Sequence, residues 1–349
     1  MDSGGRESVA TVVRGAGRSG VWVAAGAAVG GALLGLTSGA LGAPGAFGAS
    51  GASGGGPVAA WLADRDGGAV VGLDRERLVV RRIALESPVE LALGPDGDLW
   101  VACAGAAGPV GPHRLLLVED ESGRIERELA LGPVLDLESI EGGSGAVLAV
   151  EFGSTGARQV VRVSPTGAVT MVERSEDAFC AAAAFGCTLV GSERGELRLF
   201  GPDGQRLARR DFGGVLSDLA PGPESGTWWV LDAAGGAGGT RLALLGRDLA
   251  PRWVVPAGLA ALTLTPVREA ERVWLCDGEG ALVRRFGPGG SLELAHIGLA
   301  HVGASRASVG NDGSVWIAAP GALLCLDAAG GSVPGQGGFG YLVDVECVR

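Results

Sequence analysis

From residue 57 onward the apolar and polar positions repeat one phrase: an apolar strand, a Gly-bearing turn, then a strand centred on Trp or Leu and followed by small or β-branched residues. The clearest copies are VELALGPDGDLWVA (89–102), SDLAPGPESGTWWVL (217–231), LTLTPVREAERVWLC (262–276) and RASVGNDGSVWIAA (306–319). Weaker copies are LDLESIEGGSGAVLAV (135–150) and FCAAAAFGCTLVG (179–191), and a truncated one, AAWLAD (59–64), comes first. With Trp61, Trp100, Leu148, Leu189, Trp229, Trp274 and Trp316 taken as equivalent, the spacings are 39, 48, 41, 40, 45 and 42 residues. A period of about 40 to 45 residues indicates propeller blades of four strands. Segments such as HRLLLVED (113–120) and GELRLFGPDG (195–204) supply the third strand, and alternating stretches such as RIERELAL (124–131) and QRLARRDF (205–212) supply the fourth. No long window in the body carries a convincing 3.6-residue period, so the class is all-β.

The two ends of the body are complementary. The first copy lacks its opening strand, whereas the chain finishes with an extra one, YLVDVECVR (341–349), which resembles the opening strand VLDLESI (134–140). A ring needs closing, and a strand borrowed from the far terminus leaves no bare edge. The pattern therefore predicts a monomeric seven-bladed β-propeller of four-stranded antiparallel blades over 57–349, closed by the C-terminal strand completing the first blade. Both faces of a blade lie against neighbours, so Trp100, Trp229, Trp274 and Trp316 are read as core residues, and Trp228 must point to the face opposite Trp229.

Ahead of the body, Arg14 and Arg18 precede VWVAAGAAVGGALLGLTSGALGA (21–43), and the next charge is Asp64. Residues 1–43 read as a secretory signal, with an uncleaved membrane anchor as the alternative. Residues 44–56 form a Gly/Ala/Ser-rich linker. Either way the body is expected outside the cytoplasm, periplasmic or secreted, or tethered to the membrane through that anchor alone.

Composition narrows the chemistry. The chain of 349 residues has 64 Gly, 47% hydrophobic residues and a net charge of −11. All 28 basic residues are Arg, which removes lysine Schiff bases and the phosphate-binding GxxxxGK[ST] loop. The acidic balance argues against a nucleic-acid partner. Six Cys at 103, 180, 187, 276, 325 and 347 show no zinc spacing and read as buried free thiols; a register placing Cys180 opposite Leu189 keeps it from bonding Cys187. The only histidines, His113, His296 and His301, form no ligand or catalytic group, and no GxSxG is present.

One constellation stands out. Aligning the opening strands on their turn glycines puts Glu90, Asp136, Asp218, Thr263, Arg306 and Asp344 at one position, with Phe179 as the exception. These side chains are expected near the mouth of the central channel. Two readings stay open. Each acid accepts N–H bonds from the neighbouring blade or caps its turn; or Glu90, Asp136, Asp218, Arg306 and Asp344 form a pocket for a cationic ligand or a divalent ion such as Ca²⁺. No other cofactor is called for.

The phrase PVELALGPDGDLWVA (88–102), with its weaker copies, resembles the blade motif of NHL-type and virginiamycin B lyase-like propellers of exported bacterial proteins, and is similar to gluconolactonase-type propellers. The resemblance implies the propeller fold. Gluconolactonase-type enzymes hold a divalent metal with acidic residues and an Asn, but the sole Asn here, Asn311, sits in the GNDG turn; the lyases' catalytic His has no counterpart among the three histidines. No catalytic residue is assigned. The leading expectation is a non-enzymatic binding or scaffolding module for a protein or small ligand; the alternative is a metal-dependent lactonase- or lyase-like enzyme with an acidic site at the channel mouth.

Overall fold

The computed structural model describes residues 56–348 apart from 95–96, 106–110, 121, 142–145, 154–156, 234–238, 258–260, 268–269, 278–281 and 298–305. Residues 1–43, expected as a signal or anchor, residues 44–55 of the expected linker, and His301 lie outside the described residues, as does the side chain of His296.

The strands follow in groups: β1 (Ala60–Asp64), β2 (Ala69–Leu73) and β3 (Val79–Ala84); β4 (Pro88–Leu93), β5 (Leu99–Ala104), β6 (His113–Val118) and β7 (Ile125–Leu131); β8 (Val134–Glu141), β9 (Val147–Phe152), β10 (Arg158–Val163) and β11 (Val169–Ser175). Next come β12 (Ala178–Ala184), β13 (Cys187–Ser192), β14 (Glu196–Phe200) and β15 (Arg206–Asp211); β16 (Leu216–Pro221), β17 (Trp228–Asp232), β18 (Arg241–Leu245) and β19 (Pro251–Pro256); and β20 (Ala261–Val267), β21 (Arg272–Asp277), β22 (Leu282–Phe286) and β23 (Leu292–Ile297). The last are β24 (Arg306–Val309), β25 (Val315–Leu326) and β26 (Ser332–Cys347). Among the described residues the only helical element is a 3₁₀ turn at Pro288–Gly290.

The fold is an all-β propeller built of antiparallel four-stranded blades. Strands β4–β7, β16–β19 and β20–β23 each form a four-stranded sheet in chain order. Two such units, β8–β11 and β12–β15, join into one eight-stranded sheet through a short parallel contact that pairs Ala183 with Ile140 and Ala184 with Glu141. The fifth sheet, of six strands, runs β24-β25-β26-β1-β2-β3. In it β25 bends at Gly321 (φ 75°); its first half pairs with β24 and its second with the start of β26.

Burial falls from the axis outward, as the sequence pattern requires. Every residue of β5, β12 and β17 is buried, whereas the outer strands β7 and β15 are largely exposed. The core lies between blades: Trp228 packs with Leu189 and Leu199 on one side, and Trp229 with Val273 and Leu275 on the other. That split bears out the opposite-facing pair. Trp253 meets Trp229 edge-on with ring centroids 5.4 Å apart.

The opening strands β4, β8, β12, β16, β20 and β26 carry a bulge at the same place, an irregularity the alignment on glycines did not register, whereas β24 pairs without a shift from Arg306 to Val309. In β4, Pro88 pairs with Cys103 and Glu90 with Ala102, so Val89 is the extra residue; Leu135, Phe179, Ser217, Leu262 and Val343 occupy the same place elsewhere. A bulge turns the following side chain across the strand. The residue after it is Glu90, Asp136, Asp218, Thr263 or Asp344, but in β12 it is Cys180, so Cys180 and not Phe179 is the odd member. The cause is a tight turn: Phe185 (φ 54°) and Gly186 (φ 75°) close the β12–β13 hairpin directly, pairing Ala184 with Cys187 and Cys180 with Gly191, not Leu189. None of the six cysteines is in a disulfide, and all are buried except Cys187, which is half-buried at the hairpin turn; burial pushes the Cys103 thiol up to about 12 and that of Cys325 to about 11, so neither is a ready nucleophile.

The C-terminal strand does complete the first blade. Along β26, Asp344, Val345, Glu346 and Cys347 pair with Ala63, Leu62, Trp61 and Ala60 of β1, and Val348 N–H donates to the Ala59 carbonyl at 2.8 Å. Leu342, Val343 and Val345 are buried. At about 1.5–3 kcal/mol per buried aliphatic side chain, these three carry on the order of the whole net stability of a domain. Deletion of residues 341–349 is therefore expected to abolish the cooperative melt seen by calorimetry or circular dichroism; an unchanged transition would contradict the closure.

Candidate functional site

The inner strands stand edge-on to the axis and, apart from the short β8–β12 contact, form no ladder with one another, so their channel-side N–H groups need acceptors from elsewhere. At three of the bulged strands the residue after the bulge, an Asp, meets that need. Asp344 Oδ2 accepts from Leu91 N–H at 2.7 Å, Asp136 Oδ2 from Ala181 N–H at 3.0 Å, and Asp218 Oδ2 from Leu264 N–H at 2.7 Å. In each case the donor is the residue after the equivalent position on the next inner strand. Cys180 follows the rule in inverted form, its Sγ lying 3.5 Å from the Leu216 carbonyl. All of these side chains are buried.

Arg306, on β24, replaces an acid with a cation and reaches across the channel. Nη1 pairs with Glu90 of β4, Nη2 lies 2.7 Å from Glu138 of β8, and Nε lies 3.3 Å from Asp344 of β26. Burial alone would lower the Arg306 pKa, but Asp344, Glu90, Glu346 and Asp136 together raise it. Asp344 shows the other side of this balance. Burial pushes its carboxyl up, Arg306 pulls it down, Glu90 and Glu346 push it up again, and the net position is well above the ordinary carboxylate range. The carboxylates outnumber the single guanidinium.

The sequence-derived constellation is thus brought together in part. Glu90, Arg306 and Asp344 form one ion cluster, Asp136 lies close enough to act on Arg306, and Asp218 serves a separate junction with β20. Among the described residues no three His, Cys, Asp or Glu side chains group as ligands of one ion. His113 is buried, and its Nδ1 accepts from Val134 N–H at 3.1 Å.

Beyond this layer, toward the C-terminal ends of the inner strands, the channel widens into a cavity of about 320 Å³. Of the five residues read from the sequence, only Arg306 lines it. The wall is two-sided. Glu138 and Ser139 of β8, Arg306 and Ser308 of β24 and Glu346 of β26 make a polar arc. Opposite them stand Phe185, Leu219, Pro221, Leu264, Pro266 and Val267. Glu138 and Glu346 pair with Leu148 and Trp61, the Trp-equivalent positions, two residues beyond Asp136 and Asp344; that register is the sequence signal that would have found them. The sequence signal for Phe185 is the Phe-Gly pair at a turn, which marks an exposed tip.

No protein-family model matches the chain, and no curated protein matches it. Solved structures do. A functionally unknown protein from Desulfotomaculum acetoxidans aligns at TM-score 0.64 and 13% identity, covering 84% of this chain and 100% of its own. Apo AztD from Citrobacter koseri aligns at 0.60 and 13%, covering 83% and 97%, and the Cps50 (Swd1) β-propeller domain from Myceliophteria thermophila at 0.59 and 14%, covering 76% and 93%. At these identities the likeness is one of propeller fold.

Two outcomes test the channel cluster. Arg306→Met leaves Glu90, Glu138 and Asp344 without their counter-charge, which costs about 3–5 kcal/mol, a fall in Tm of roughly 6–15 °C by calorimetry. Asp344→Asn keeps a side-chain oxygen for Leu91 N–H and removes a charge. Because the native Asp344 pKa is raised, its stabilisation is full below the unfolded carboxylate pKa and lost as pH rises through the native value. The Tm of wild type minus that of Asp344→Asn should therefore decrease as pH climbs from about 3 to 8; an increase would contradict the raised pKa.

Proposed function

We propose that the chain is an exported, seven-bladed propeller that works as a non-enzymatic binding module, with the channel cavity as its ligand site. The blade count is supported by the cyclic order in which the inner strands touch: β26 meets β4, then β8, β12, β16, β20 and β24 follow, and β24 returns to β26. Export rests on the charge and apolar pattern of residues 1–43, which fits a cleaved signal or an anchor with the body outside the cytoplasm.

The observation that carries the binding reading is the cavity itself. Its volume falls at the lower end of the range for small-molecule sites, and its walls combine an apolar arc with a few convergent polar groups. Its described lining includes no His, Cys or Lys, and its hydroxyls, on Ser139, Ser225, Thr265 and Ser308, are not set against a histidine base. The acids that the sequence offered as metal ligands are engaged with neighbouring N–H groups and Arg306.

The competing reading, a metal-dependent lactonase- or lyase-like enzyme, is tested by measuring bound divalent metal in the purified protein and then lactone hydrolysis with and without chelator. The binding reading expects no chelator-sensitive turnover. Hydrolysis that disappears with chelator and with Glu90→Gln or Asp136→Asn would overturn it.

A further inference from the structure

The cavity's two-sidedness narrows what it can hold, and the inference below rests on the reading of the channel as a binding site. Around the axis the polar arc comes from β24, β26 and β8, and the apolar arc from the β12–β13 turn, β16 and β20. On the polar arc Arg306 is the only cation, and its guanidinium is engaged by Glu90, Glu138 and Asp344. Glu346 adds a further carboxylate to the wall, with Ser308 Oγ 3.5 Å away. The local charge is negative, and it sits in a narrow, low-dielectric recess that concentrates the field.

Facing it is Phe185. This residue holds φ at 54°, a region that favours Gly, and yet presents a large aromatic side chain that is 48% exposed. A glycine would fill the turn with less strain. The side chain instead adds an aromatic to the apolar wall that includes Leu264 and Pro266, and an aromatic ring attracts a cation. A bare metal ion has no use for that half of the cavity, and an anion is repelled by the other half.

We infer that the channel cavity binds a small organic ammonium ion with an apolar body, its charged group toward Glu346 and Glu138 and its apolar part against Phe185, Leu264 and Pro266. The cavity volume suits a molecule of that kind and not a folded segment of another protein.

The test is calorimetric titration of the purified full chain with phenethylammonium, its neutral isostere 2-phenylethanol, phenylacetate and Ca²⁺. Phenethylammonium should bind at least tenfold more tightly than 2-phenylethanol, and phenylacetate should not bind. Glu346→Gln should weaken the ammonium at least tenfold while leaving 2-phenylethanol unchanged. Phe185→Gly should weaken both organic probes while keeping or raising Tm, since Gly relieves the positive φ, so that lost binding is not confused with lost folding. Ser225→Trp, at the exposed rim, should block every probe. Equal affinity for the neutral or anionic probe, blocked by Ser225→Trp, would overturn the ammonium assignment and leave channel binding standing. Ca²⁺ binding alone, or no binding of phenethylammonium at millimolar concentration, would also overturn the assignment. Binding indifferent to Ser225→Trp would overturn both.

Discussion

The structure depends on how the inner strands are sealed to one another around the axis. Within a blade, ladder hydrogen bonds do the work; between blades only side chains are available, save for the brief parallel contact of β8 with β12. A buried carboxylate reaching the next strand's N–H solves two problems at once. It satisfies a donor that would otherwise cost about 1–3 kcal/mol, and it fixes the rotation of one blade against the next. Asp344, Asp136 and Asp218 act in this way. Arg306 gathers three strands through one side chain, which suits guanidinium, whose rigid fork of donors can face several carboxylates together.

The repeating phrase made the fold legible because its signals are local. A Gly turn such as the one ending at Gly97 (φ 90°) and a buried Trp two residues into the next strand recur wherever a blade needs them. Closure was legible for the same reason: YLVDVECVR carries the inner-strand pattern without a partner nearby in sequence. The bulge was not. It leaves no residue-type signature, since five of the six bulge residues, Val89, Leu135, Phe179, Leu262 and Val343, are apolar like the strands around them and the sixth is Ser217, and so Phe179 was aligned where Cys180 belongs.

The site was legible only in its first layer. The acids stood out because charge is rare in an apolar strand, but what they do depends on the N–H groups of the adjacent blade, roughly 45 residues away along the chain in the copied unit. The cavity lies one step further along the same strands. Glu138 and Glu346 share a face with Asp136 and Asp344, and Phe185 comes from a turn whose shape only the backbone angles explain.

Closure by β26 also has a temporal side. Ala60 and Trp61 are made near the start of the body, and Glu346 and Cys347 at its end, so the first blade waits for nearly the entire chain before its last strand arrives. Until then β1 presents an unpaired backbone edge, the geometry that invites pairing with a foreign strand. Contacts of such sequence separation form slowly, because the loop must close before they stabilise anything. A chain of this design needs its neighbours kept at a distance while the tail is still being delivered, and its surplus of negative charge does that by mutual repulsion.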